Sequence, residues 1–229
     1  MSSKLSLSLA ALAVVATAAP ALAAADPTTY LDVDQARVLG LGVMATTMGT
    51  DSMVNFRYGL MKDVELAVGY DFASGQKLED VAKGGYGVGV KYSLGTVAGL
   101  NLAGQAGVMA GDLSNPGTGL GYGASLPIGV GLGGLNLDVQ PYLSGSTTAG
   151  ASMAMGTRVG IRQNISTNTD LLVRAGYEMV GSAGSATVMT GVRYNLGGGG
   201  WLDLGLVDWS QAANATTWGK VSLTFVGDR

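Results

Sequence analysis

The fold is decided by residues 52–72, SMVNFRYGLMKDVELAVGYDF. On both sides of a break at Met61-Lys62-Asp63, large apolar residues occupy every second position. Successive side chains on a strand point to opposite faces, so the pattern predicts two strands with one wholly apolar face. A soluble sheet would need a second layer to cover that face. Because about a dozen segments look alike, the chain is predicted to be all-β, a closed antiparallel transmembrane β-barrel with lipid outside.

The N-terminus predicts export from the cytoplasm. Lys4 precedes a short apolar segment, Leu5 to Thr17, and Ala21-Leu22-Ala23 is a small-x-small cleavage site. These features are typical of a secretory signal peptide over residues 1–23, which is too short to be a spanning helix. Residues 24–35 are polar, and we interpret them as a short periplasmic lead to the barrel.

Composition argues against several classes of function. The 229 residues include 38 glycines, no cysteine and no histidine. Disulfide and thiolate chemistry are therefore ruled out, and the commonest general base and metal ligand is missing. We expect no enzyme activity, no cofactor and no metal site. The formal net charge is −3 with no basic block, so no nucleic-acid partner is expected.

Twelve strand-like segments place the barrel in residues 36–229. Each segment approaches the ~9–11 residues that a tilted strand needs to cross a bilayer. An even number of strands is typical of bacterial single-chain barrels. The predicted strands are Ala36–Thr47, Ser52–Leu60, Val64–Ala73, Gly85–Leu94, Leu100–Ala110, Gly119–Val130, Leu135–Leu143, Ser152–Asn164, Asp170–Val180, Ala186–Leu196, Trp201–Trp209 and Thr217–Val226.

The connections alternate between tight turns and longer loops, and they predict the orientation. Bacterial barrels have short periplasmic turns and longer extracellular loops, so the tight set is predicted to be periplasmic. That set comprises residues 61–63, 95–99, 131–134, 165–169 and 197–200. Aromatic residues at outward positions near both ends predict two interfacial girdles. They are Tyr70, Phe72, Tyr86, Tyr122 and Tyr177 at the outer end, and Phe56, Tyr58, Tyr92, Tyr194 and Phe225 at the periplasmic end.

The segment from Tyr58 to Leu66 reads Tyr-Gly-Leu, a short polar turn, then apolar-Glu-Leu. With the pattern of the whole mature chain, this hairpin resembles small porin-like outer-membrane β-barrels of Gram-negative bacteria. The resemblance implies contact with the lipid bilayer and lipopolysaccharide, insertion by the barrel-assembly machinery, and passage of small solutes. Such proteins usually end on an aromatic residue, whereas here Phe225 is followed by Val226-Gly227-Asp228-Arg229.

With the apolar face outward, nearly every charged strand residue falls on the inner face. An Arg or Lys facing lipid near the bilayer centre costs ~2–4 kcal/mol, so this segregation is expected. Arg174 and Arg193 are on adjacent strands and are expected to share a depth in the lumen, within a locally positive wall. The predicted lumen charge belt comprises Arg57, Glu65, Lys91, Asp138, Arg158, Arg162, Arg174, Arg193 and Asp203.

Two hypotheses remain open for this belt. It can act as a filter that selects solutes, or its charges can pair and close the lumen. The inward glycines Gly85, Gly87 and Gly89 favour an open lumen, although close strand packing also explains them. The leading prediction is an outer-membrane channel for passive diffusion of small polar or anionic solutes. The alternatives are a closed structural or anchoring barrel without transport, and a secreted soluble glycine-rich β-protein.

Overall fold

The computed structural model describes residues 29–30, 33–49, 53–71, 85–111, 119–208 and 221–227. Within this part of the chain no helix is long and apolar enough to cross a membrane. A small strand pair, Thr29–Tyr30 and Val33–Asp34, precedes the barrel strands. The barrel strands are β1 Met44–Gly49, β2 Met53–Met61, β3 Val64–Asp71, β4 Gly85–Val97, β5 Leu100–Ala110, β6 Leu120–Ser125 with Ile128–Leu132, β7 Leu135–Ser146, β8 Ala154–Ser166, β9 Thr169–Val180, β10 Ala183–Gly197, β11 Gly200–Asp208 and β12 Val221–Gly227.

The barrel strands form one closed antiparallel sheet. Each strand pairs with the next along the chain, and β12 pairs with β1 to complete the circle. β6 is interrupted at Leu126-Pro127, where proline has no N–H to donate. The Ala103 N–H bridges this gap by donating to the Pro127 carbonyl at 2.9 Å. Every barrel strand thus has a neighbour on both sides within the described residues, and the predicted closed barrel of about twelve strands is confirmed.

Two-residue turns join the strands at one end of the barrel, at residues 62–63, 98–99, 133–134, 167–168 and 198–199. Gly133-Gly134 and Gly198-Gly199 have positive φ at both positions, as a type I′ hairpin turn requires. Glycine adopts this conformation without the strain that a Cβ would cause. At the other end residues 181–182 also form a two-residue turn, but most connections are longer, so we assign these five turns to the periplasmic side.

The barrel is inverted relative to a soluble protein. Val88 on the outer face is 57% exposed, whereas Glu65 and Arg193 inside the barrel are 0% exposed. An exposed apolar surface that surrounds the molecule requires a covering, which lipid supplies. Five of the predicted girdle aromatics are exposed: Phe56, Tyr92, Tyr122, Tyr177 and Tyr194. Four others, Tyr58, Tyr70, Tyr86 and Phe225, are half-buried, and Phe72 lies outside the described residues.

The chain reverses direction at the periplasmic end, just before β1. The Val43 N–H donates to the Gly40 carbonyl at 3.0 Å and closes a turn. Gly42 is the third residue of this turn and has a φ of 80°, a conformation that favours glycine. Gly42 N–H also donates to the Gly59 carbonyl at 2.9 Å, which fixes the turn to β2. The residues before the turn are therefore directed back into the barrel.

Residues 33–40, here called the luminal segment, lie inside the barrel. Thr29–Tyr30 precedes the segment in sequence and pairs antiparallel with Val33–Asp34 at its start. Both ends of the segment are buried against apolar side chains that strand register directs inward. Leu39 packs with Ala45 and Val226, and Val33 packs with Leu172 and Met189.

The start of the barrel differs from the sequence prediction. β1 begins at Met44 rather than at Ala36, and residues 33–35 of the predicted periplasmic lead lie in the lumen. A short polar segment has the same composition in bulk water as in a polar lumen, so the pattern alone could not separate the two. The predicted signal peptide (residues 1–23), residues 24–28 of the predicted lead, and residues 72–84, 112–118 and 209–220 lie outside the described residues.

Replacing Val88 by Arg should impair insertion, because an outward charge costs about 2–4 kcal/mol near the bilayer centre. The neighbouring inward Gly87 is the matched control. A Cβ at Gly87 would have its nearest contact at 3.8 Å, so Gly87→Arg should fold almost as well as the wild type. The folded fraction in lipid vesicles, read from the gel mobility of unboiled samples, measures both variants. Equal damage from both substitutions would contradict the assigned faces.

Candidate functional site: the charged lumen

All nine residues of the predicted belt project from the inner face of the barrel. The register places Glu65 opposite Lys91, and Arg193 opposite Asp203. Burial divides the nine into a periplasmic set and a set further from the two-residue turns. Arg57, Glu65, Lys91, Asp138, Arg193 and Asp203 are buried, Arg162 is almost buried, and Arg158 and Arg174 are half-buried.

Five polar side chains, here called the luminal cluster, meet in the periplasmic half: Asp34, Arg57, Glu65, Lys91 and Gln140. Arg57 Nη1 lies 2.8 Å from both Asp34 Oδ1 and Glu65 Oε1, and it donates a hydrogen bond to Glu65 Oε1. Gln140 Nε2 donates to Asp34 Oδ2 at 3.2 Å, and the Asp34 N–H donates to Gln140 Oε1 at 3.3 Å. Lys91 Nζ lies 4.0 Å from Asp34 Oδ1. The positive charges of Arg57 and Lys91 are therefore offset by two carboxylates. One belongs to Glu65 of the wall and the other to Asp34 of the luminal segment.

A second buried ion pair joins β10 to β11. Arg193 Nε donates to Asp203 Oδ1 at 2.6 Å, and Nη2 donates to Oδ2 at 2.7 Å. This bidentate geometry is the strongest form of an arginine–carboxylate contact. The guanidinium carbon lies 5.7 Å from the centre of the Trp201 ring, which adds a cation–π contact. Since Arg193 is fully buried, the pair holds the wall together and does not face solutes.

Further from the periplasmic turns, charged side chains of the inner face are partly exposed. Arg158 stacks on the Tyr142 ring at 4.5 Å from its centre, and the Tyr142 hydroxyl donates to Glu178 Oε2 at 2.6 Å. Arg174 is a diagonal neighbour of Arg158, because Arg158 faces Gly176 and Arg174 faces Gly160 in the register. Both arginines are half-buried, so solvent in the lumen reaches them.

Arg174 and Arg193 do not share a depth, contrary to the sequence expectation. Arg174 pairs with Met189 and Arg193 pairs with Asp170, so the two arginines are four residues apart along the ladder. Counting residues from a turn could not reveal this offset, because it depends on the register between β9 and β10. The predicted positive wall is thus divided between the buried Arg193–Asp203 pair and the half-buried Arg158 and Arg174.

Glycines cover another sector of the inner wall. Gly89, Gly107 and Gly123 face one another across β4, β5 and β6. A Cβ on Gly107 would lie 3.0 Å from the Val88 carbonyl, so close packing explains that glycine. A Cβ on Gly123 would have its nearest contact at 3.4 Å, which is ordinary packing. Close packing therefore does not require glycine at position 123.

Several luminal residues were not singled out from the sequence. Gln140, Tyr142 and Trp201 share the inward parity of charged neighbours, and that parity was the signal that could have identified them. Asp34 carries no such signal, because it precedes the alternating pattern and reaches the lumen only through the turn before β1.

Comparison with known proteins identifies the type of barrel. The chain is similar to the KdgM porin solved in complex with disordered oligogalacturonate, with 9% identity, a TM-score of 0.58, and coverage of 82% of this chain and 98% of that one. The fold is that of an outer-membrane porin. The NanC porin is 7% identical with a TM-score of 0.52, covering 82% of this chain and 98% of that one. The COG4313 outer membrane channel from Pseudomonas putida F1 is 12% identical with a TM-score of 0.52, covering 89% and 99%.

No family model and no curated protein sequence matches the chain. In this porin fold the lumen therefore has to be interpreted from its own residues. It has two zones: a periplasmic half filled by the luminal segment and paired charges, and an outer half lined by Arg158, Arg174, Tyr142, Glu178 and glycines.

Asp203→Asn should destabilise the barrel, because it leaves the Arg193 guanidinium buried opposite a neutral group. Removing one partner of a buried pair costs about 3–5 kcal/mol. The free energy of unfolding in lipid vesicles, measured by urea titration, tests this, with Asp63→Asn in an exposed turn as the control. The double change Arg193→Met with Asp203→Leu should recover most of the loss, because apolar residues of similar volume can replace a buried pair. Wild-type stability of Asp203→Asn would contradict a structural role for the pair.

Proposed function

We propose that the protein is an outer-membrane channel through which small polar and anionic solutes diffuse passively. The observation that carries this proposal is that two half-buried arginines, Arg158 and Arg174, lie on the wall of the outer half of the lumen. Both guanidinium groups are partly exposed on the inner face, whereas Arg193 and Asp203 are buried. The porin fold and the names of its structural neighbours, which are porins and a channel, support the same conclusion.

The physical basis is the attraction of anions to confined cations. A charge in a narrow, water-filled passage with low-dielectric walls raises the local concentration of its counter-ion more than the same charge on an open surface. Rings and walls of charged side chains select ions in this way. Tyr142 orients Arg158 by stacking, and Glu178 fixes the Tyr142 hydroxyl, so the guanidinium is held at the wall.

The second candidate function is a closed structural barrel, and one observation favours it. The periplasmic half of the lumen is filled, since Glu65 and Arg193 are fully buried and Lys91 is 2% exposed. The two candidates differ in whether a solute can pass the luminal segment. The conductance of the wild-type protein separates them.

We propose that residues 1–23 are removed on export and that the barrel-assembly machinery inserts the mature chain into the outer membrane. The outer apolar surface would then contact the bilayer and lipopolysaccharide. No catalytic role is proposed, because the chain has no histidine or cysteine and its structural neighbours are named as porins or a channel.

Charge reversal at the two arginines should change ion selectivity. In a planar bilayer with a salt gradient, the reversal potential of Arg158→Glu/Arg174→Glu should move towards cations, because the confined field changes sign. The single variants should give intermediate values. Gel mobility of unboiled samples verifies that each variant is folded, because Arg158→Glu also removes the stacking on Tyr142.

Lys62→Glu is the matched control, because it makes the same change of charge on an exposed periplasmic turn. It should leave the reversal potential close to that of the wild type. A conducting wild type whose selectivity ignores the change at Arg158 and Arg174 would contradict the filter. A wild type that never conducts, with or without the luminal segment in place, would favour the closed structural barrel.

A further inference from the structure

We propose that the luminal segment is an autoinhibitory plug whose Asp34 occupies a carboxylate-binding site made by Arg57, Lys91 and Gln140. A carboxylate on a solute displaces Asp34 and thereby releases the plug. The inference rests on the proposed channel function, since a plug regulates only a barrel that conducts. It adds that anionic solutes, which the channel is proposed to admit, also control whether the lumen is open.

The chemistry of the site is that of a carboxylate receptor. A guanidinium, an ammonium and a side-chain amide converge on the two oxygens of Asp34, at 2.8, 4.0 and 3.2 Å. Arg57 and Lys91 come from the barrel wall, and so does Gln140, whereas Asp34 comes from the luminal segment. The receptor is therefore part of the rigid sheet, and its ligand is on a separate piece of chain.

Asp34 satisfies this receptor incompletely. Lys91 is 2% exposed, yet its Nζ has no hydrogen-bond partner among the described residues. Asp34 Oδ1 lies 2.8 Å from Arg57 Nη1, but it accepts no well-aligned hydrogen bond from any described residue. A buried ammonium without a hydrogen bond is costly. A free carboxylate, which no backbone restrains, can approach both Arg57 and Lys91 within hydrogen-bond distance.

The charges explain why the plug stays in place until an anion arrives. With Asp34 present, Arg57 and Lys91 face two carboxylates, Asp34 and Glu65. Withdrawal of Asp34 alone would leave an uncompensated positive charge in a buried site, which is strongly unfavourable. Exchange of Asp34 for another carboxylate leaves the net charge of the site unchanged. The exchange is therefore easier than simple opening.

The wall is shaped to seat the segment closely. A Cβ on inward Gly59 would collide with the backbone of Leu39 and Gly40, so only glycine permits this approach. The Leu39 N–H donates to Glu65 Oε2 at 2.9 Å, which holds the segment against β3. A Cβ on Gly129 would lie 3.4 Å from the Ala36 Cβ. The segment is thus seated closely against the wall, with Asp34 as its carboxylate at the receptor.

Loss of the Asp34 charge should open the channel. In single-channel recordings of the mature protein, Asp34→Asn should raise the open probability about threefold or more, because removing a charge-assisted contact shifts the closed–open equilibrium. Asp63→Asn, which removes the same charge from an exposed turn, is the control and should behave as the wild type. Gel mobility of unboiled samples verifies that each variant is folded.

A reversible cross-link tests the position of the plug independently. The chain has no cysteine, so Ala36→Cys with Gly129→Cys introduces the only pair. The separation of the two Cβ positions is close to the ~3.5–4.5 Å of a disulfide, once the Asp138 carboxylate shifts away from the new side chain. Oxidation should lock the channel closed and reductant should restore the wild-type open probability. Each single cysteine variant is the control.

The carboxylate specificity is tested with a matched pair of probes. Glucuronate and glucose differ at one carbon, where the first carries a carboxylate and the second a hydroxymethyl group. At equal concentration and ionic strength, glucuronate should raise the wild-type open probability, whereas glucose should not. Glucuronate should also slow formation of the 36–129 disulfide, and it should have little further effect on Asp34→Asn.

The outcomes separate failure of the plug from failure of the channel. A conducting wild type that matches both Asp34→Asn and the oxidised double cysteine variant overturns the plug and leaves the channel standing. An Asp34→Asn effect with no difference between glucuronate and glucose overturns the carboxylate-binding site. If wild type, Asp34→Asn and the reduced cysteine variant all fail to conduct while folded, the proposed channel function is wrong.

Discussion

The structure depends on the requirement that every backbone N–H and C=O inside a bilayer find a partner within the protein. Pairing of β12 with β1 meets that requirement, because it removes the last free edges of the sheet. Closure in turn directs alternate side chains into lipid and into a narrow lumen. The outer face can then be apolar throughout, and every charge on the strands has to be accommodated inside.

A narrow lumen that holds many charges has to pair them, hydrate them or fill the space between them. This barrel does all three at different depths. Arg193 and Asp203 pair within the wall, Arg158 and Arg174 face solvent, and Asp34 is brought in from outside the sheet to complete the cluster around Arg57. The two hypotheses that the sequence left open, filter and structural belt, thus describe different zones of one lumen.

Most of the barrel could be predicted from residue patterns, because a period of two is visible in single strands. The strand number, the tight turns at one end of the barrel and the inward position of the charges all follow from it. The depth of Arg174 relative to Arg193 could not be predicted, since it depends on cross-strand register. The position of Asp34 could not be predicted either, because a turn at Gly40–Val43, rather than any periodic pattern, returns the chain to the lumen.

The most direct test of this account is amide hydrogen exchange of the wild-type protein in lipid nanodiscs, resolved at Asp34 and Leu39. Both N–H groups donate to luminal side chains, Gln140 and Glu65. A resident luminal segment predicts protection of both amides by about a hundredfold or more over an unstructured chain, as for groups that exchange only through local opening. Exchange at the unstructured rate would contradict the account, because it would place residues 33–40 outside the barrel.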